Sequence, residues 1–373
     1  ETLDDITYYR TSPTPQPLGG ALDKPGAREA IEMHHLRKRI VEVAERERVD
    51  LIHGHSSILV GLPALAAARM VGVPCVYEIR SFWEDAAVDN QTAVEGDMRY
   101  RATQNTETWL AKKADGLIAI CEGIKNEMVD RGLDSRSVHV ITNGVEVEKF
   151  DTAPRDAELD ELYGCKGKKV GGYIGTFAQF EGVPYLVKAL IQLMQSGRDD
   201  IAGLIVGKGP TYKVCQQLAR DAGLEDRIIH PGRVPHDEVK KTYSLLDILA
   251  YPRDRQRITE MVTPLKPLEA MALQKTVLGS NVGGLTELIH HEKNGLIFEA
   301  ENVDDLAHTV ARAVDDDALR NHLGAAGREY VKRERAWRSI IEGHFAVYEQ
   351  AQRRWKKNQG LYRGLKGALG PLR

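Results

Sequence analysis

Cysteine is scarce in this chain of 373 residues. There are four, and Cys75, Cys121, Cys165 and Cys215 lie too far apart to form the close pairs that a zinc site or redox motif needs. A reduced, cytoplasmic protein is the expectation. Aromatic residues make up 6%, and 51 Lys and Arg against 54 Asp and Glu leave a formal charge of −3. Neither a stacking platform nor a basic field therefore argues for nucleic acid. Long hydrophobic runs are missing too: the longest, 58–68, is about half a membrane span and ends at Arg69. No G-x-G-x-x-G follows an apolar run. Gly207-Lys208-Gly209 lacks the third glycine, which disfavours a nicotinamide-dependent dehydrogenase. No metal site is expected, since His290-His291 reads as a polar helix end and Asp315-Asp316-Asp317 as solvated surface between helices.

What is present is a βα rhythm over a length that suits two domains. In residues 1–150, a short strand at 7–11 leads into a Pro- and Gly-rich loop, 12–26. An amphipathic helix at 27–48 follows, then strands at 49–55, 73–79, 116–120 and 138–141, with helices at 58–70 and 98–114 between them. Residues 151–169 are charged and poor in apolar side chains, a linker candidate. The second domain is expected over 151–340, and in it apolar strands again end in glycine: 170–174 before Gly175-Thr176, 201–206 before Gly207-Lys208, and 228–229 before Gly232-Arg233-Val234. The chain then turns helical, with a long segment at 336–357. A basic tail, 359–373, ends it.

The densest chemistry lies at 251–289. After the apolar run 245–251 comes a loop with Arg253, Arg257, Glu260 and Lys266, and then Pro267 at a first helical position with Glu269 behind it. A second apolar segment, 276–280, enters the turn Asn281-Val282-Gly283-Gly284. In a parallel sheet both junctions fall at the carboxyl ends of strands, where helix N-termini offer unpaired N–H groups to anions.

The words Leu268-Glu269-Ala270-Met271-Ala272 and Val282-Gly283-Gly284-Leu285-Thr286-Glu287 resemble the donor signature of family 4 glycosyltransferases, the retaining enzymes of the GT-B fold. Tyr251-Pro252-Arg253 and Thr263-Pro264-Leu265-Lys266-Pro267-Leu268-Glu269 look most like an exopolysaccharide- and exosortase-associated subgroup. The resemblance implies an α/β protein of two Rossmann-like domains with a cleft between them, and a final helix, 341–358, that crosses back to the amino domain. It also implies that a first strand and a Gly-rich loop would precede residue 1. The implied activity is transfer of a sugar from a nucleotide diphosphate, a UDP-sugar by default, to a hydroxyl of a glycan or lipid-linked acceptor. It proceeds with retention and needs neither metal nor other cofactor.

On that resemblance Glu269 binds ribose, and Gly175, Thr176, Gly207, Lys208, Val234, Arg253, Arg257, Thr263, Pro264 and Leu265 line the donor site. The family usually places an Arg after the first strand of the second domain and a Lys a few residues on. Here Thr176 and Phe180-Glu181 stand in that region, so Arg233 and Lys266 are expected to supply the charge, and Glu260 to serve the donor sugar. The family's two signature glutamates have seven residues between them. Counting back from Glu269 reaches Met261, which leaves a solvated loop role open for Glu260.

His55, Glu78, Arg80 and Glu84 are expected on the acceptor side, with internal pairing of Arg80 and Glu84 as the alternative. The seven basic residues after Glu349, with no acid among them, suggest contact with an anionic membrane at its cytoplasmic face. Other readings are a non-catalytic subunit and a nucleotide-sugar 2-epimerase of the same architecture.

Overall fold

The computed structural model describes residues 1–11, 26–89, 92–150 and 152–368, with the side chains of 89, 236–237 and 359–368 left out. The loop 12–26 is thus described only at Gly26, and the side chains of the tail 359–373 lie outside the described residues. Two compact units emerge, one of Glu1–Ile141 with Glu342–Arg373 and one of Thr142–Ile341.

The first unit opens with a two-residue hairpin, β1 (Thr2–Leu3) and β2 (Ile6–Thr7), where a strand over 7–11 is expected. Asp4 and Asp5 both take positive φ, 49° and 62°, and close the turn. Then come α1 (Ala27–Glu47), β3 (Ile52–His55), α2 (Ile58–Val71), β4 (Cys75–Ile79), α3 (Trp83–Asp89), α4 (Met98–Lys113), β5 (Gly116–Ala119), α5 (Glu122–Asp130) and β6 (Val138–Val140). The four strands β3 to β6 pair in sequence order, all parallel. Parallel sheets covered on both faces need apolar strands, and Cys75 to Ile79 are all buried. Helix α2 starts where Ser57 Oγ accepts the Leu59 N–H and stops at Gly72, φ +93°.

The second unit contains α6 (Ala157–Leu162), β7 (Lys169–Thr176), α7 (Val183–Gln195), β8 (Ile201–Lys208), α8 (Tyr212–Asp221), β9 (Ile228–Gly232), α9 (His236–Leu245), β10 (Ile248–Tyr251), α10 (Arg257–Met261), α11 (Lys266–Ala272), β11 (Thr276–Ser280), α12 (Gly283–Thr286), β12 (Leu296–Phe298), α13 (Val303–Asp315), α14 (Asp317–Tyr330) and α15 (Trp337–Ile340). Its six strands run in the order β12-β11-β10-β7-β8-β9, all parallel. The order reverses between β7 and β10, the place where doubly wound sheets open a crevice for ligands.

Residues 152–169 are not a linker. Arg155 donates to Asp160, to the carbonyls of Leu245 and Cys165, and pairs with Asp247, so the segment is built into the second unit. The same unit holds 142–150, where the Val145 N–H reaches the Arg335 carbonyl at 2.9 Å. The long helical segment is interrupted at Ile341, and α16 (Glu342–Ala368) packs on the first sheet. A Cβ on Gly116 of β5 would meet Val347 at 3.0 Å and Ala351 at 3.3 Å, so this glycine lets the helix lie close.

Glu107 of α4 is fully buried, accepts from the Tyr77 hydroxyl at 2.5 Å, and is pushed up to about 7 by burial. A raised carboxylate binds its proton more tightly in the folded state. Its contribution is complete below its ordinary value of 4.5 and is lost as pH rises through 7. Glu107→Gln keeps an acceptor for Tyr77. It is expected to raise the urea midpoint at pH 8, by up to about 3 kcal/mol in stability, with the difference vanishing near pH 4.5. An equal difference at both pH values would contradict the assignment.

Candidate active site

The loops that leave the carboxyl edge of the second sheet are shaped by close backbone approach. Gly175 pairs with Gly207 across β7 and β8. At Gly207 φ is +132°, and a Cβ there would sit 1.8 Å from the Gly175 carbonyl oxygen, so only glycine fits. Gly175 faces Lys266 instead: a Cβ would lie 2.8 Å from the ammonium, and its absence gives that side chain its course.

At the reversal of strand order the structure brings together three charges from distant parts of the chain. Glu181 follows β7, Arg253 follows β10, and Lys266 opens α11. Glu181 is 4% exposed, with Arg253 Nη2 and Lys266 Nζ each 3.0 Å from Oε1. The Tyr173 hydroxyl accepts from Lys266 Nζ at 2.8 Å and itself lies 3.2 Å from Glu181 Oε2. Burial alone would raise Glu181, but the two cations overcome it and hold the carboxyl below its ordinary value. Lys266 is lowered, by burial first, with Glu181 opposing. Two cations against one carboxylate leave the cluster at +1. A buried carboxylate thus fixes Arg253 and Lys266 in place before any ligand arrives.

Glu269 stands three residues beyond Lys266, on the same face of α11, and lies 3.5 Å from the hydroxyl of buried Tyr243. Thr263 and Pro264 are buried beneath this turn, and Leu265 is exposed at its tip. Arg233 and Lys208, at the exits of β9 and β8, are exposed and make no ion pair with a described residue, while Val234 is half-buried and Thr176 exposed. Arg257 lies along α10 against Met261.

Glu260 has both its oxygens engaged. Oε1 pairs with Arg255 at 2.6 Å and Oε2 accepts the Gly283 N–H at 2.7 Å, so it ties α10 to the turn after β11. Sequence reasoning noticed Glu181 only as a missing lysine. The signal that could have exposed it was the departure itself, a carboxylate among glycines where cations gather.

In the first unit, His55 and Glu78 are register partners on β3 and β4. Glu78 is buried, and although burial raises it, the imidazoles of His53 and His55 beside it draw it well below the ordinary carboxylate range. Arg80 pairs with Glu78 at 2.6 Å. Glu84 does not present itself to a ligand: it is 2% exposed and held by Arg131 at 2.8 Å, which also removes it as the partner of Arg80.

Removing Glu181 strands two cations at a largely dry site. Glu181→Ala is expected to cost about 3–5 kcal/mol in urea denaturation, with part recovered in the Glu181→Ala/Lys266→Met double variant. A cost under about 1 kcal/mol would mean that the cluster is solvated.

Comparison with known proteins places the chain. A family model for glycosyl transferases group 1 matches residues 159–330, and one for glycosyltransferase family 4 matches residues 12–149. The 2-deoxystreptamine glucosyltransferase of Streptomyces kanamyceticus is 28% identical over 300 residues, which is 79% of this chain and 76% of that protein. Two solved structures share the fold. Anabaena HepE, in complex with UDP, has a TM-score of 0.70 at 18% identity over 84% of this chain and 80% of its own. Sucrose-phosphate synthase from Thermosynechococcus elongatus has a TM-score of 0.69 at 22% identity, over 89% and 82%. The two parallel sheets are those of the GT-B class, and with both family models matched along most of its length the chain belongs to the family 4 glycosyltransferases, which use nucleotide-sugar donors.

Proposed function

We propose that this chain moves a hexose or related sugar from a UDP-sugar to a hydroxyl of a lipid-linked or polysaccharide acceptor. Transfer proceeds with retention and without a metal ion at the reacting diphosphate. The observation that carries the reading is the pair of cations fixed on Glu181 where the strand order reverses, with Glu269 one turn beyond Lys266 on the same face of α11.

A donor diphosphate brings about two negative charges, and more develop on it as the sugar departs. The pre-set +1 of the cluster, joined by exposed Arg233 and Lys208 from neighbouring strand exits, supplies the balance. A charge-assisted hydrogen bond gives about 1.5–3 kcal/mol, more than a helix terminus at 0.3–1 kcal/mol, so side chains carry the larger share. Glu269 accepts from the two ribose hydroxyls about 4.5 Å further along the helix axis. No protein nucleophile is required: the leaving diphosphate takes the acceptor proton while the same face is attacked, and the protein supplies position and electrostatics. UDP is chosen because HepE, of the same fold, was captured with it.

The acceptor class rests on the wording of 263–269 and on the basic residues of α16. Arg354, Lys356 and Lys357 are exposed, and no helix among the described residues is long and apolar enough to cross a membrane. One observation favours a second reading, a non-catalytic subunit: Glu181 cancels one of the two cations that the site gathers.

Calorimetric titration with UDP, GDP, ADP and their sugar conjugates separates these. One nucleotide is expected to bind at micromolar concentration, with the affinity falling about 10- to 100-fold in Lys266→Met and in Glu269→Ala. A folded protein that binds none of them would sink the donor site. Release of nucleotide only when acceptor lipid is present, with the product's anomeric configuration read by NMR, would separate the transferase from the silent subunit. Sedimentation with phosphatidylserine vesicles is expected to carry the chain down at low salt and release it at high salt.

A further inference from the structure

We propose that His53, His55 and Glu78, joined by His344, form a site for one transition-metal cation of the zinc class in the first unit. The donor atoms of His53, His55 and Glu78 all lie within 4.8 Å of one another. His53 Nε2 and His344 Nε2 stand 3.4 and 3.7 Å from Glu78 Oε2, and His55 Nδ1 stands 3.3 Å from Oε1. A tetrahedral ion with bonds of about 2.1 Å sets its ligands about 3.4 Å apart, which the three distances to the Glu78 oxygens approach, and small side-chain shifts would bring the remaining donors, within 4.8 Å, to it.

The surroundings fit ligation. The Tyr348 hydroxyl lies 3.0 Å from His53 Nδ1, which fixes the ring and turns Nε2 towards Glu78. His53 Nε2 is buried and finds no well-aligned hydrogen bond. Arg80 occupies Glu78 Oε1 at 2.6 Å and leaves Oε2, the atom nearest two of the imidazoles, to face them. Three imidazoles and one carboxylate suit zinc, cobalt, nickel or copper and disfavour magnesium and calcium. His55 is half-exposed and gives the ion an approach from solvent.

The role is structural. β3, β4 and α16 each contribute, and His53 and His344 come from opposite ends of the sequence, so an ion here clamps the last helix to the first sheet.

The test uses the whole chain, stripped with EDTA and titrated with Zn²⁺ by calorimetry and with Co²⁺ by visible absorption. One ion per chain is expected, with cobalt bands of tetrahedral intensity and a thermal midpoint that rises with Zn²⁺. Affinity should fall at least 100-fold in Glu78→Gln and at least 10-fold in His344→Ala. His55→Ala, at a half-exposed position, keeps the fold and should also weaken binding at least 10-fold. Zero stoichiometry, or equal binding by the chain and the folded His55→Ala variant, would overturn the site.

Discussion

Glu181 sits almost wholly out of water, and a carboxylate at that depth costs several kcal/mol unless cations are fixed beside it. The second unit meets this demand by drawing Arg253 from the exit of β10 and Lys266 from the first turn of α11 onto one oxygen. Much of the local geometry follows. Gly175 must lack a side chain for Lys266 to lie where it does, the Tyr173 hydroxyl completes the ammonium's shell, and the Tyr251 hydroxyl anchors the Lys266 carbonyl at 2.9 Å. The carboxylate therefore acts as a template that sets two cations in advance of an anionic ligand.

The first unit answers a similar demand in three other ways. Glu78 is surrounded by imidazoles and a guanidinium, Glu84 is closed off by Arg131, and Glu107, with a tyrosine hydroxyl as its donor, is pushed up towards neutrality. The same residue type thus ends as an anion among titratable rings, as half of an ion pair, or as an acid that keeps its proton up to near pH 7. Only the partners differ.

The βα rhythm was legible because burial on both faces of a parallel sheet demands apolar runs, and glycines mark where the chain leaves them. The strand at 276–280 and the helix at 58–70 were read nearly to the residue. Other readings failed for physical reasons. The charged stretch 151–169 looked like a linker because its order comes from Arg155, whose five partners are carbonyls and carboxylates, three of them from within the stretch and two from α9 and beyond. For Glu260 nothing local shows that Arg255 and the Gly283 N–H each engage one of its oxygens.

By itself the sequence determined the class of fold, the strand exits that matter and the presence of Lys266 and Glu269 three residues apart on one helix. Those are local properties, encoded in periodicity, turn residues and short words. Tertiary structure alone decided which charge meets which. Glu181 is 72 residues from Arg253 and 85 from Lys266, and His53 is 295 residues from Tyr348. Coulombic and hydrogen-bond partners are chosen by distance in space, and a low-dielectric interior makes that choice costly to change once the sheets have packed.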